Sequence, residues 1–137
     1  MKIRKIAIVF LLIILTTFGC SSDGEDTGSD QISQDNLNKL RGTWRLVSST
    51  TDDLEDDLSG TCKLFNSVDF YSSNSVSVNT VSGTNCSSTE SQDEDYIVNG
   101  NVLTVGDTTL DILTLNTTTL KVKYRNQSNY TETYSKI

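Results

Sequence analysis

The sequence predicts an all-β protein: an antiparallel meander of about eight strands closing into a small up-and-down barrel, with a short N-terminal helical turn. Three observations predict it. Eight runs rich in Val, Thr, Tyr and Leu follow one another between residues 44 and 136, and short polar segments separate most of them. Turn signals mark several of the joints: Val98-Asn99-Gly100-Asn101-Val102 reads as an Asn-Gly hairpin, Val105-Gly106-Asp107 as a second and Asn116-Thr117-Thr118 as a third. Alternation indicates one buried face, most clearly in Leu120, Val122 and Tyr124 against Lys121, Lys123 and Arg125, and in Leu64, Val68 and Phe70. Sequential hairpins make a meander, and antiparallel strands that must hide their edges favour closure into a barrel; a two-sheet sandwich is the competing architecture.

Residues 1–19 precede this domain and read as a targeting segment. Lys2, Arg4 and Lys5 give a basic start, and Ile6 to Leu15 is unbroken apolar sequence. A membrane-spanning helix needs about 20 apolar residues, and this run ends sooner, in Thr16-Thr17-Phe18-Gly19. A buried core helix would show a polar face and caps, and neither is present. Gly19-Cys20 at the end of the apolar run resembles the lipobox of bacterial lipoproteins. That resemblance implies a diacylglyceryl-modified Cys20 as the mature N-terminus, carrying acyl chains such as palmitate. Each buried methylene contributes about 0.8 kcal/mol, so two or three chains anchor a small domain stably.

Ser21-Ser22-Asp23-Gly24-Glu25-Asp26 follows, and from Ser21 to Gln31 no side chain is apolar, so the stretch is expected to be a disordered tether. It resembles the serine-and-acid segment that follows the lipid cysteine in surface-exposed lipoproteins of Bacteroidetes-type bacteria, which implies a place on the outer face of the outer membrane. The expected organisation is therefore a signal peptide over 1–19, acylated Cys20 with its acidic tether over 20–34, and one barrel domain over 35–137. Removing the signal peptide takes three positive charges from a chain of formal charge −7 and leaves −10. Such a balance, with no basic run, argues against a nucleic-acid partner.

With Cys20 lipidated, Cys62 and Cys86 remain as an even pair in an oxidising compartment, and a disulfide between them is expected. There is no CxxC pair and no histidine to complete a zinc site, so neither metal nor cofactor is expected. In the domain itself, Ser33 to Leu40 reads as a short helical turn with Ser33 or Asp35 as N-cap and Leu37 and Leu40 on one side. It ends at Gly42. The predicted strands are Trp44–Thr50, Lys63–Tyr71, Ser75–Val81, Asp95–Val98, Asn101–Val105, Thr109–Leu115, Leu120–Arg125 and Tyr130–Lys136.

Taken in order, Leu40-Arg41-Gly42-Thr43-Trp44-Arg45-Leu46, Cys62, Val68-Asp69-Phe70, Cys86, Tyr96 to Leu103, Leu110 to Leu115 and Thr119 to Val122 resemble the lipocalin-like domain of Bacteroidetes lipoproteins. The resemblance spans about Leu37 to Tyr134. It implies a lipocalin-like barrel in which Trp44, from a Gly-x-Trp opening, plugs one end beneath a basic side chain. Arg125 is the first candidate for that side chain and Lys136 the second. It also implies a binding role without catalysis, with a small apolar molecule held in the barrel mouth.

Enzyme chemistry has little to stand on. The chain lacks histidine, the commonest general base, and has no G-x-S-x-G elbow. Asp52, Asp53, Glu55, Asp56 and Asp57 form one acidic cluster and Asp93, Glu94 and Asp95 another; both read as solvated charge, without calcium-loop spacing. Four Asn-x-Ser/Thr triplets are of the kind chance supplies in a chain this rich in Asn, Ser and Thr, whereas Asp107-Thr108-Thr109 resembles a Bacteroidetes O-glycosylation site. Two function classes stay open. One is a small-ligand binder whose candidate lining residues are Phe70, Tyr96, Tyr124 and Tyr134. The other is a filled barrel that meets a protein or glycan partner through its loops. Short strands favour a largely occupied interior, with any cavity shallow and at one end.

Overall fold

A computed structural model describes residues 27–137. The signal segment, Cys20 and the first part of the tether lie outside the described residues. The helix α1 (Thr27–Leu40) has 14 residues and so starts inside the stretch expected to be a disordered tether. Its inward stripe explains why hydrophobic periodicity found only the last turns. Leu40 is fully buried and Leu37 partly so, but the positions a turn earlier are Ser33 and Asn36, which contact the barrel through hydrogen bonds. The Asn36 side-chain amide donates to the Gly100 carbonyl at 2.9 Å, and the Gly100 N–H donates to Ser33 Oγ at 2.8 Å. A polar stripe of this kind fixes position but carries no apolar period.

Nine antiparallel strands follow: β1 (Gly42–Thr51), β2 (Leu54–Glu55), β3 (Ser67–Phe70), β4 (Ser75–Ser82), β5 (Ser88–Asn99), β6 (Val102–Val105), β7 (Thr108–Leu115), β8 (Thr119–Tyr124) and β9 (Tyr130–Lys136). Each strand from β3 to β9 pairs with the next, β1 pairs with β3, and β1 also pairs with β9, which closes an eight-stranded barrel; β2 is a two-residue addition at the far end of β1. Closure removes the two long edges that an open meander would leave, and the two-residue β2 and the Ser88–Asp95 part of β5 are paired on one side only. Among the described residues the core and the side chains packed on it fall between Leu37 and Tyr134, so the segment 27–137 carries a hydrophobic core and a closed sheet of its own, as a folding unit does.

Several boundaries differ from the sequence expectation, each for a local reason. Residues Cys62–Phe65 form a 3-10 turn instead of the start of a strand. Leu64 is therefore half-buried beside Val47 and Leu58 on the outside and does not enter the barrel core. Asn66 ends that turn: its carbonyl accepts from Leu46 N–H at 3.0 Å, and its side-chain oxygen accepts from Val81 N–H at 2.8 Å. Strand β5 begins seven residues before the expected Asp95, because Ser88 to Asp95 pairs residue by residue with Ser82 to Ser75. That part of β5 is almost wholly exposed, so no hydrophobic alternation marks it.

Two bulges set which side chains face inward. On β1 the register with β9 shifts between Leu46 and Ser48, so Trp44 and Leu46 point in, Val47 stays exposed, and Ser49 turns in opposite Glu132. On β7 the shift between Ile112 and Thr114 keeps Leu110, Ile112 and Leu115 on the core side and leaves Leu113 out. An extra residue reverses the two-residue side-chain period beyond it. The disulfide between Cys62 and Cys86 spans a sequence separation of 24 and ties the approach to β3 to the tip of the β4–β5 hairpin.

Candidate functional site

Strand directions give the barrel two unlike ends. At one end lie α1, the start of β1, the β5–β6 and β7–β8 turns and the end of β9; at the other lie the β1–β2, β6–β7 and β8–β9 turns and the disulfide-linked segment. The first end is closed. Trp44 is fully buried there and its indole N–H donates to the Leu40 carbonyl at 2.6 Å. Lys136 places Nζ 5.0 Å from the centre of the Trp44 ring and donates to the Lys39 carbonyl at 3.0 Å, so one ammonium covers the plug and ties β9 to α1. Gly42 runs at φ 111°, and a Cβ there would come within 3.0 Å of the Lys136 stem, which reserves the position for glycine.

Lys136, and not Arg125, therefore covers the tryptophan. Arg125 follows Tyr124 by one residue, so it alternates to the outside, and it lies at the opposite end because β8 runs away from Trp44. It pairs there with Asp111, Nη2 to Oδ1 at 2.6 Å. Lys136 is the direct cross-strand partner of Trp44.

The second end opens into a cavity of about 430 Å³. Val68, Phe70, Leu103, Leu110, Leu120 and Val122 form its apolar walls and floor, and Gln92, Glu94, Asp107, Thr108, Tyr124 and Tyr134 supply its polar groups. The sequence places them there through period-2 alternation on β8 and its neighbours and through the two-residue turn Gly106-Asp107 that joins β6 to β7. Gly106 has φ 52°, and a Cβ on it would lie 2.6 Å from Glu94 Oε2, so the Glu94 carboxylate sits against the turn backbone. The volume falls within the range of small-molecule sites, about 300–1,000 Å³. The closed half is filled by side chains, while the open half keeps this space.

Of the residues expected to line a ligand, Phe70, Tyr124 and Tyr134 border this cavity. Tyr96 does not. It is a core residue, packed edge-on against Phe70 at 4.9 Å between ring centres, with its hydroxyl donating to the Ser72 carbonyl at 2.8 Å. Expected carboxylate clusters are dispersed as well. Asp52 and Asp53 form the β1–β2 turn at φ 51° and 64°, Asp57 caps Ser59 N–H at 2.9 Å, and Asp56 accepts from buried Ser49 at 2.5 Å. Only Glu94 of the second cluster reaches the cavity.

The feature that sequence reasoning missed is Glu132. Its carboxylate accepts from three phenols: Tyr124 at 2.6 Å and Tyr134 at 2.5 Å on Oε2, and Tyr130 at 2.8 Å on Oε1. Burial, followed by the adjacent Glu132 carboxylate, pushes Tyr130 up to about 12 and holds Tyr124 and Tyr134 well above the ordinary phenol range. A phenol has one proton to give, so once these are donated the oxygens of Tyr124 and Tyr134 can only accept. The signal was present in β9, where Tyr130, Glu132, Tyr134 and Lys136 share one parity against Thr131, Thr133 and Ser135.

A family model described as a lipocalin-like domain matches residues 40–122. No curated protein matches the chain. Among solved structures, a lipocalin-like protein from Bacteroides uniformis ATCC 8492 is similar with a TM-score of 0.53 at 12% identity, covering 72% of this chain and 99% of that one, a likeness of fold.

Proposed function

Because this chain belongs to the lipocalin-like domain family, whose members are generally non-enzymatic binding proteins, we propose that it binds a small, largely apolar molecule in the open end of its barrel. The observation that carries this reading is the cavity of about 430 Å³ opposite the Trp44 plug, lined in large part by aliphatic and aromatic side chains. A barrel built only to display loops has no need of such a space, since empty apolar volume costs packing energy. The reading is also non-enzymatic. No histidine is present, and Glu132 is occupied by three phenol donors.

The same proposal places the barrel on the outer surface of the outer membrane, held by lipid on Cys20. Its support is the basic and apolar run before Gly19-Cys20 and the acidic stretch after it. Cys20→Ala is expected to move the protein out of the membrane fraction; normal membrane association of that variant would refute the anchor.

Binding is tested by titrating the uncharged dye N-phenyl-1-naphthylamine into the segment 27–137. A saturable one-to-one complex is expected, and Leu103→Trp, which fills the floor, should weaken it. Absence of saturable binding would refute the ligand reading.

A further inference from the structure

The chemistry of the cavity wall selects among apolar ligands by their head group. Its lining includes two carboxylates, Glu94 and Asp107, and no Lys or Arg. The cations on neighbouring strand positions point elsewhere. Lys121 and Lys123 alternate away from buried Leu120 and Val122, Arg125 pairs with Asp111 outside, and Lys136 is held over Trp44 at the closed end.

The neutral polar groups repeat the same bias. Tyr124 and Tyr134 direct their hydroxyl hydrogens at Glu132 in hydrogen bonds and offer the cavity only oxygen lone pairs. The Gln92 side-chain amide donates to Glu94 Oε1. An anionic head brought into this space would lose its hydration and meet carboxylates without a counter-charge, an arrangement that is strongly disfavoured. A protonated amine would find Glu94 and Asp107 at the rim, acceptor oxygens beneath them, and an apolar floor for its tail. The chain's formal charge of −7 draws cations toward the mouth as well.

We infer that the cavity is a site for cationic amphiphiles, with an apolar tail on Leu103, Leu110 and Val122 and an ammonium or similar donor head at Glu94 and Asp107. This rests on the ligand-binding reading above and narrows it to one class of molecule.

Three probes with the same tail test it: decylamine, decanol and decanoate, titrated calorimetrically into the segment 27–137 at neutral pH below their aggregation limits. Decylamine is expected to bind roughly fivefold more tightly than decanol, and decanoate more weakly than either, since an ion pair at a partly exposed site contributes up to about 1 kcal/mol, which is about fivefold in affinity. Glu94→Gln should narrow the amine-over-alcohol ratio, Asp107→Asn should narrow it too, and Glu94→Lys should shift preference toward decanoate. Equal affinity for all three probes, or tightest binding of decanoate, would overturn the selectivity while leaving a ligand site in place. Failure of all three to bind would overturn the ligand site and the selectivity together.

Discussion

Lys136→Met removes one ammonium and keeps most of the side-chain volume, so it isolates what that charge does at the closed end. The wild-type Nζ lies 5.0 Å from the Trp44 ring centre and 3.0 Å from the Lys39 carbonyl. A partly desolvated cation over an indole contributes about 1 kcal/mol. A hydrogen bond from a charged donor to a backbone carbonyl contributes about 1.5 kcal/mol, of which water recovers part once the donor is gone. The expected loss is about 2 kcal/mol, or about 8 °C in Tm for a domain near this size. Lys136→Arg should restore much of it, because a guanidinium also stacks on indole. Arg125→Met serves as the matched control: it removes the same charge from a solvent-screened pair with Asp111 and should leave the transition where it was. Urea and thermal unfolding of the segment 27–137, followed by near-ultraviolet circular dichroism, measure all three. A Lys136→Met variant as stable as wild type, or an Arg125→Met variant that is the less stable of the two, would refute this account of the closed end.

The tyrosine cluster predicts alkaline behaviour. Burial and Glu132 raise the folded-state pKa of Tyr130 to about 12 from an ordinary value of 10.0, so above about pH 10 the unfolded chain loses phenol protons that the folded chain keeps. Stability should therefore be whole below pH 10 and fall as pH rises toward 12, with phenolate absorbance from the cluster appearing only as the fold is lost. Glu132→Gln should let tyrosines titrate earlier; an unchanged absorbance curve would discount the carboxylate. The Cys62–Cys86 bond closes a loop that contains β3 and β4, and replacing both cysteines by serine should cost about 3 kcal/mol on the chain-entropy model, read as a lower urea midpoint. No shift in the midpoint would mean that the hairpin is held by its ladder alone.

Legible in the amino-acid order was whatever a local period or a local turn can encode. Alternation of Leu120, Val122 and Tyr124 against Lys121, Lys123 and Arg125 set the inner face of β8, and Gly106-Asp107 set the turn at the cavity rim. Trp44 could be expected to close one end through the family resemblance that Gly42-Thr43-Trp44 carries, and the two cysteines left after Cys20 could be expected to pair. Tertiary structure alone decided the rest, because it depends on which distant residues meet. The choice of Lys136 over Arg125 above Trp44 follows from antiparallel chain direction: β9 ends where β1 begins, while β8 ends at the opposite mouth. The bulges after Leu46 and Ile112 reverse side-chain parity in mid-strand, so Ser49 and Leu115 face inward against the simple alternation. Glu132 looks like a solvated acid in a threonine-rich strand, and becomes the acceptor for three phenols only when β8 and β9 are laid side by side and the barrel is closed. The helix was legible where Leu37 and Leu40 are apolar and hidden where Ser33 and Asn36 bind the barrel by hydrogen bonds, since a polar contact leaves no hydrophobic period to read.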